Sequence, residues 1–149
     1  MFGLMKGSRV ETKSTHMYPL KLVLDSSIRK TSTDIGVLAS RDEKSAAIMI
    51  WNYHDEDKKG TLDSISISLN GLPKKLLTIT HYRIDDKNSN SYETWKKMGS
   101  PQNPSPSHIA QLEKSGQLQI LGKPVKFDTT SGPLKFELGR QGVSLLKIN

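Results

Sequence analysis

The sequence predicts an all-β fold: an antiparallel β-sandwich of immunoglobulin-like or fibronectin-like build, with one long loop-plus-short-helix insertion. Three observations lead there. About seven or eight short segments of strand character recur between turn residues along residues 35–149. One of them, LDSISISL (62–69), alternates strictly, with Leu62, Ser64, Ser66 and Ser68 on one face and Asp63, Ile65, Ile67 and Leu69 on the other. One wet and one dry face is the pattern of an antiparallel strand laid over a core. The remaining long interruption, 85–117, is rich in Ser, Asn and Pro, as an excursion between strands should be.

Taken in order, residues 1–34 show no clear period and form an irregular segment partly packed on the sandwich. Within it, Tyr18 to Leu24 is a short apolar run in which Pro19 favours an extended or edge conformation. Residues 25–34 are polar and loop-like. The chain opens on the apolar Met1, Phe2, Gly3, Leu4 and Met5 with no polar tail, and is expected to continue something larger. From Ile35 the pattern becomes β. Ile35–Ser40 and Ala46–Tyr53 flank the polar loop 41–45, and Leu62–Leu69 follows. Asn70, Gly71 and Pro73 signal a turn before Leu76–Ile84. After the insertion come Gln117–Leu121 and Val125–Asp128, broken by Gly122 and Pro124. Leu134–Leu138 and Val143–Ile148 complete the set, with Gly139 to Gly142 as a turn between them. Helical period fits Ser107–Ser115 alone, with Ser107 as N-cap, Ile109 and Leu112 on one face, and Gly116 as the stop.

Composition narrows the function. At 149 residues the chain is too short for a (β/α)8 barrel, which takes roughly 250. Hydrophobic residues make up 34%, low for a globular domain, and the shortfall lies in the polar loops. Lys and Arg outnumber Asp and Glu, 22 to 15, but the pairs Lys58–Lys59, Lys74–Lys75 and Lys96–Lys97 sit at separate turns and loops. No basic run is interleaved with aromatics, so nucleic acid is not a predicted partner. With no cysteine, disulfides and thiolate chemistry are absent. No apolar run approaches the ~20 residues of a membrane span, so no membrane association is predicted. The opening MFGLMKGSR has too short an apolar core for a signal peptide, and its charge follows that core. A soluble chain of unassigned compartment is expected.

Candidate chemistry shrinks on inspection. His54, Asp55 and Asp57 offer hard-cation ligands, but no Gly supplies the turn of a calcium loop and Lys58, Lys59 and Gly60 follow. A solvated turn after a packed strand end is the reading, with Trp51 and Tyr53 facing one way and Asn52 the other. Asp85 and Asp86 cannot be a glycosidase pair, because adjacent strand residues face opposite sides. Asx-type hydrogen bonding at a strand end suits them better. His16, His54, His81 and His108 show no metal spacing. No phosphate loop, nucleophile elbow or dinucleotide fingerprint occurs. No catalytic, cofactor or metal site is predicted.

One stretch carries more than composition. HYRIDDKNSNSYETWKKMGSPQNPSPSHIAQLEKSGQLQ (81–119) resembles the C-terminal region of glycoside hydrolase family 39 β-xylosidases. WNYHDED (51–57) is similar to the strand and turn upstream in that family. MFGLMKGSRV (1–10) resembles the segment after its barrel, and RQGVSLLKI (140–148) its closing strand. The string Tyr92-x-x-Trp95-x-x-Met98-Gly99-Ser100-Pro101-Gln102-x-Pro104 is the specific part. The family also holds α-L-iduronidases, and the Met98 to Gln102 string is similar to the xylosidase branch. The resemblance implies a retaining xylosidase whose two catalytic glutamates lie in a (β/α)8 barrel that this sequence lacks. It makes residues 35–149 a non-catalytic accessory sandwich with its insertion at 85–117.

The barrel is then the expected partner. A second copy of the chain, and a xylo-oligosaccharide at the domain boundary, are further partners the resemblance leaves open. The expected docking residues are Tyr92, Trp95, Met98, Pro101 and Gln102 in the insertion, with Phe2 and Met5 at the start of the chain. Trp95 leads, because Trp is enriched at interface anchors. The competing reading is a carbohydrate-binding module for xylan-type sugars, which requires aromatics lying coplanar on an exposed face.

Overall fold

The structure, a computed structural model, describes residues 1–25, 33–56, 60–72 and 76–149. Among them nine strands build two antiparallel sheets. In the large sheet β2 (Asp34–Arg41) and β3 (Ala46–Tyr53) form a hairpin, with β1 (Ser8–Val10) on the outer edge of β2. β9 (Val143–Ile148) lies between β3 and β5 (Leu76–Ile84). β6 (Gln119–Ile120) and β7 (Val125–Asp128) pair end to end along the other edge of β5, separated at Gly122, whose φ is +73°. The small sheet is β4 (Asp63–Ile67) with β8 (Leu134–Leu138). An immunoglobulin sandwich divides its strands nearly evenly. Here seven strands face two.

Side-chain alternation sorts β3 between two cores. Ile48 and Ile50 join Ala39, Leu77, Ile79, Leu146 and Ile148 against Ile65 and Leu138 of the small sheet. Ala47 and Met49 point the opposite way, with Leu145, and are covered by Met1, Leu4 and Met5. The large sheet is therefore apolar on both faces at its centre, and the opening residues act as its second cover. Trp51 packs on that outer face while Asn52 points inward, only 1% exposed. Its Nδ2 donates to Asp63 Oδ2 (2.8 Å) and to the Leu138 carbonyl (3.2 Å), joining the two sheets. At the β2–β3 turn Asp42 Oδ1 accepts from the backbone N–H of Lys44 (2.8 Å) and Ser45 (2.7 Å). Those donors hold its carboxyl below the usual carboxylate range.

Three expectations need correction. Residues 18–24 are not extended: α1 spans Leu20–Asp25. Pro19 sits just ahead of its first turn, where its missing N–H is no loss, and its carbonyl accepts from Leu22 and Val23. The Gly139–Gly142 turn does not join neighbouring strands. It carries the chain from the small sheet to the large, with Gln141 at φ +60° and Gln141 N–H donating to Asn52 O. A Cβ on Gly142 would sit 2.7 Å from Leu138 Cδ1 and 2.8 Å from Gly139 O, so the crossing needs glycine there. The third concerns the helical content of the insertion, described below. Residues 26–32, 57–59 and 73–75, with the polar loop expected over 25–34 and the expectations placed on Asp57, Lys58, Lys59, Pro73, Lys74 and Lys75, lie wholly or largely outside the described residues.

Candidate functional site

The insertion is a helical hairpin rather than a loop with one helix. It begins at Asp85, whose Oδ1 accepts from Lys87 N–H (2.9 Å), Asn88 N–H (2.9 Å) and Asn88 Nδ2 (2.8 Å). This is the Asx-type turn expected of the pair Asp85–Asp86. Asn90 then caps α2 (Ser91–Lys97), its Oδ1 accepting from Glu93 N–H (3.2 Å) while its Nδ2 donates to Asp85 O (2.9 Å). The end of α2 is a Schellman motif. Ser100 N–H returns to Trp95 O and Gly99 N–H to Lys96 O, both at 3.1 Å, with Gly99 at φ +85°. Pro101 follows, and its carbonyl accepts the Trp95 indole N–H at 3.1 Å.

The second helix, α3, spans Pro106–Gly116, one residue longer at each end than predicted. Its N-cap is Ser105, not Ser107: Ser105 Oγ accepts from His108 N–H (3.3 Å), and Pro106 takes the first helical position. Gly116 remains helical and Gln117 is the C-cap. α2 packs on α3. Ser89 Oγ accepts from Gln119 N–H (2.9 Å), tying the base of the hairpin to β6.

Neither helix has a buried residue. Tyr92 is 52% and Ile109 47% exposed, Gln102 is exposed, and Trp95, Met98 and Pro101 are half-buried. Tyr92 and Trp95 stack at 5.7 Å between ring centroids, 23° from parallel. The Lys96 ammonium lies 4.7 Å from the Tyr92 ring, and Lys96 also pairs with Glu93. Tyr92 and Trp95 are thus stacked on each other, with Lys96 also against the Tyr92 ring, rather than lying side by side as the open coplanar platform that a stacked sugar requires. At the start of the chain Phe2 is 68% exposed, whereas Met5 is half-buried against the outer core.

A second feature lies between the sheets. β5 points His81 and Arg83 inward at the mouth of a cleft of about 350 Å³ lined also by Leu62, Asp85, Leu121 and Phe136. His81 Nε2 is 3.0 Å from Ser144 Oγ, and its ring meets Phe136 edge-on at 4.9 Å. Burial, with the charge of Arg83 nearby, pushes its pKa down to about 4. Arg83 is 6% exposed. Its Nη2 donates to Glu137 O (3.1 Å), its Nη1 is 3.5 Å from Asp85 Oδ2, and its Nε has no partner. Burial lowers the guanidinium pKa, and Asp85 partly restores it.

With this geometry in hand, comparison with known proteins is informative. The model of the glycosyl hydrolases family 39 matches residues 5–129. The chain belongs to family 39. No curated protein matches. Among solved structures, a monomeric β-xylosidase from Caulobacter crescentus CB15 superposes with a TM-score of 0.63 at 15% identity, covering 76% of this chain and 26% of that one. A family 39 enzyme from Xanthomonas axonopodis pv. citri gives 0.57 at 12%, covering 76% and 25%. A bacterial orthologue of human α-L-iduronidase gives 0.55 at 17%, covering 78% and 22%. At such identities the likeness is one of fold, and the family 39 chain spans about a quarter of those proteins.

The residues singled out by sequence fall into two separate groups on this family 39 chain. Tyr92, Trp95, Met98, Pro101 and Gln102 share the hairpin, while Phe2 and Met5 lie on the cover of the outer sheet face. His54 is 1% exposed, with its Nδ1 accepting from Glu56 N–H (3.0 Å), and Tyr53 Oη donates to Asp55 (2.7 Å). No metal-binding cluster occurs among the described residues. No described helix is long and apolar enough to cross a membrane. Sequence reading missed the cleft, because Arg83 and Glu137 meet only where the two sheets pack face to face.

Proposed function

We propose that this family 39 chain is a non-catalytic accessory domain of a retaining β-xylosidase-like hydrolase, and that it docks on the catalytic barrel through the α2–α3 hairpin. One observation carries the reading: the hairpin is rigidly capped at both helix starts, yet neither helix buries a residue in this chain. Such a surface suits a partner, since ordering it has an entropic cost that burial elsewhere would offset. The exposed Phe2, beside the cover of the outer sheet face, extends the same logic to the segment that would follow the barrel. A monomeric β-xylosidase among the structural neighbours supports docking within one chain over docking between subunits.

The test joins the chain to its barrel and substitutes Tyr92→Ala and Trp95→Ala. Docking predicts a lower melting temperature and altered kinetics on an aryl β-xyloside, with Tyr92 the more telling position because Trp95 is tied to Pro101. Unchanged kinetics, oligomeric state and melting temperature in both variants would overturn it. Without the barrel the chain is expected to hydrolyse no aryl β-xyloside, and measured turnover by the purified 149 residues would refute the accessory role.

A further inference from the structure

We infer that the cleft between β5 and β8 is a binding site for a neutral polyhydroxylated molecule of about one sugar ring, held by hydrogen bonds rather than by stacking. The inference is independent of docking and of the hairpin. Its first support is Arg83. A guanidinium carries five N–H donors, and burying it without acceptors is costly. Arg83 is 6% exposed, yet the protein offers it two acceptors, the Glu137 carbonyl at 3.1 Å and Asp85 Oδ2 at 3.5 Å. Its Nε has none and is enclosed, out of reach of a ligand. Nη1 and Nη2 each keep a second N–H beyond those two contacts, so the site holds more donor capacity than the chain itself uses.

The second support is charge. Arg83, Lys87 and Arg140 line the cleft together with Asp85, Asp86 and Glu137, so its cationic and anionic residues are equal in number. An anion drawn to Arg83 would meet Asp85, whose Oδ2 already faces the guanidinium. A hydroxyl can accept from Arg83 and donate to Asp85 at once, which an ionised carboxylate cannot do. The third support is shape. At about 350 Å³ the cleft falls at the small end of the roughly 300–1,000 Å³ range of ligand sites. Leu62 and Leu121, 61% and 38% exposed, give its rim apolar surface for C–H groups. The ring of Phe136 has Arg83 over it at 5.6 Å and His81 at its edge, which holds the polar wall in place.

The test is an NMR titration of the 149-residue chain with D-xylose and D-glucose, following the backbone amide resonances of Glu137, Gly139 and Arg140 at the cleft, with sodium acetate as the anion arm. A saturable shift with either pyranose and none with acetate is expected. Leu121→Trp, a rim change that leaves the core intact, should close the mouth and weaken the response by about tenfold or more, and Arg83→Met should abolish it. If Arg83→Met fails to fold, Leu121→Trp still decides. Absence of a saturable sugar shift in the folded chain overturns the site. So does a shift with acetate alone, or an unchanged response in Leu121→Trp.

Discussion

Gly36 faces Trp51 across the β2–β3 ladder, and a Cβ built on it would lie 2.1 Å from indole Cε2. The glycine leaves the space that the indole fills on the outer sheet face. Gly36→Ala should therefore force the ring aside and destabilise the fold by about 1–3 kcal/mol, the usual range for overpacking, as read by urea denaturation. His81 makes a second residue-scale prediction. Folding lowers its pKa from 6.5 to about 4, so the unfolded chain holds the proton more readily. Its contribution to stability is then complete above about pH 6.5 and is lost as pH falls toward 4. His81→Gln, which can still reach Ser144, should flatten stability across that window. Equal pH dependence in both proteins would show that carboxylates alone set the acid response.

At the scale of elements, the two helices of the insertion differ in how openly the sequence announced them. Periodicity reports a face buried against something, and helices that bury nothing in their own chain leave little of it. α3 still showed through Ile109 and Leu112. α2, at seven residues, is too short for a period but is bracketed by caps: Asn90 with Glu93 three residues on, and Met98-Gly99-Ser100-Pro101. The string that most resembles the family is thus also a helix stop, legible as such had capping been weighed before periodicity. Asn90→Ala removes the acceptor for Glu93 N–H and the bond to Asp85 O. It should loosen α2 by about 0.5–2 kcal/mol, seen as faster amide exchange in residues 91–97 with the sheets unaffected.

For the whole molecule, the strand segments were readable and their partners were not. β3, β5, β7, β8 and β9 occupy the residues that alternation and turn signals mark out, because each presents a face to a core. Which sheet a strand joins depends on contacts far apart in sequence. Local turn signals specify hairpins, so the Gly139–Gly142 link read as one although it crosses between sheets. The cleft at Arg83 was hidden for the same reason. Leu145, fully buried, meets Met49 on one side and Tyr82 on the other. Leu145→Ala should cost about 2–5 kcal/mol and loosen Met1–Met5 from the sheet, visible as protease cleavage near the start of the chain.

The position of β9 between β3 and β5 also sets a timetable. During synthesis β3 leaves the ribosome some 90 residues before β9, as the numbering of Tyr53 and Val143 shows. At typical elongation rates of about 5–20 residues per second, the interval is on the order of 10 s. Once β5 has followed β3, the inner edges of both present backbone groups that bond only to water until the last strand pairs with them. An edge left open for that long is a place where another chain could pair prematurely.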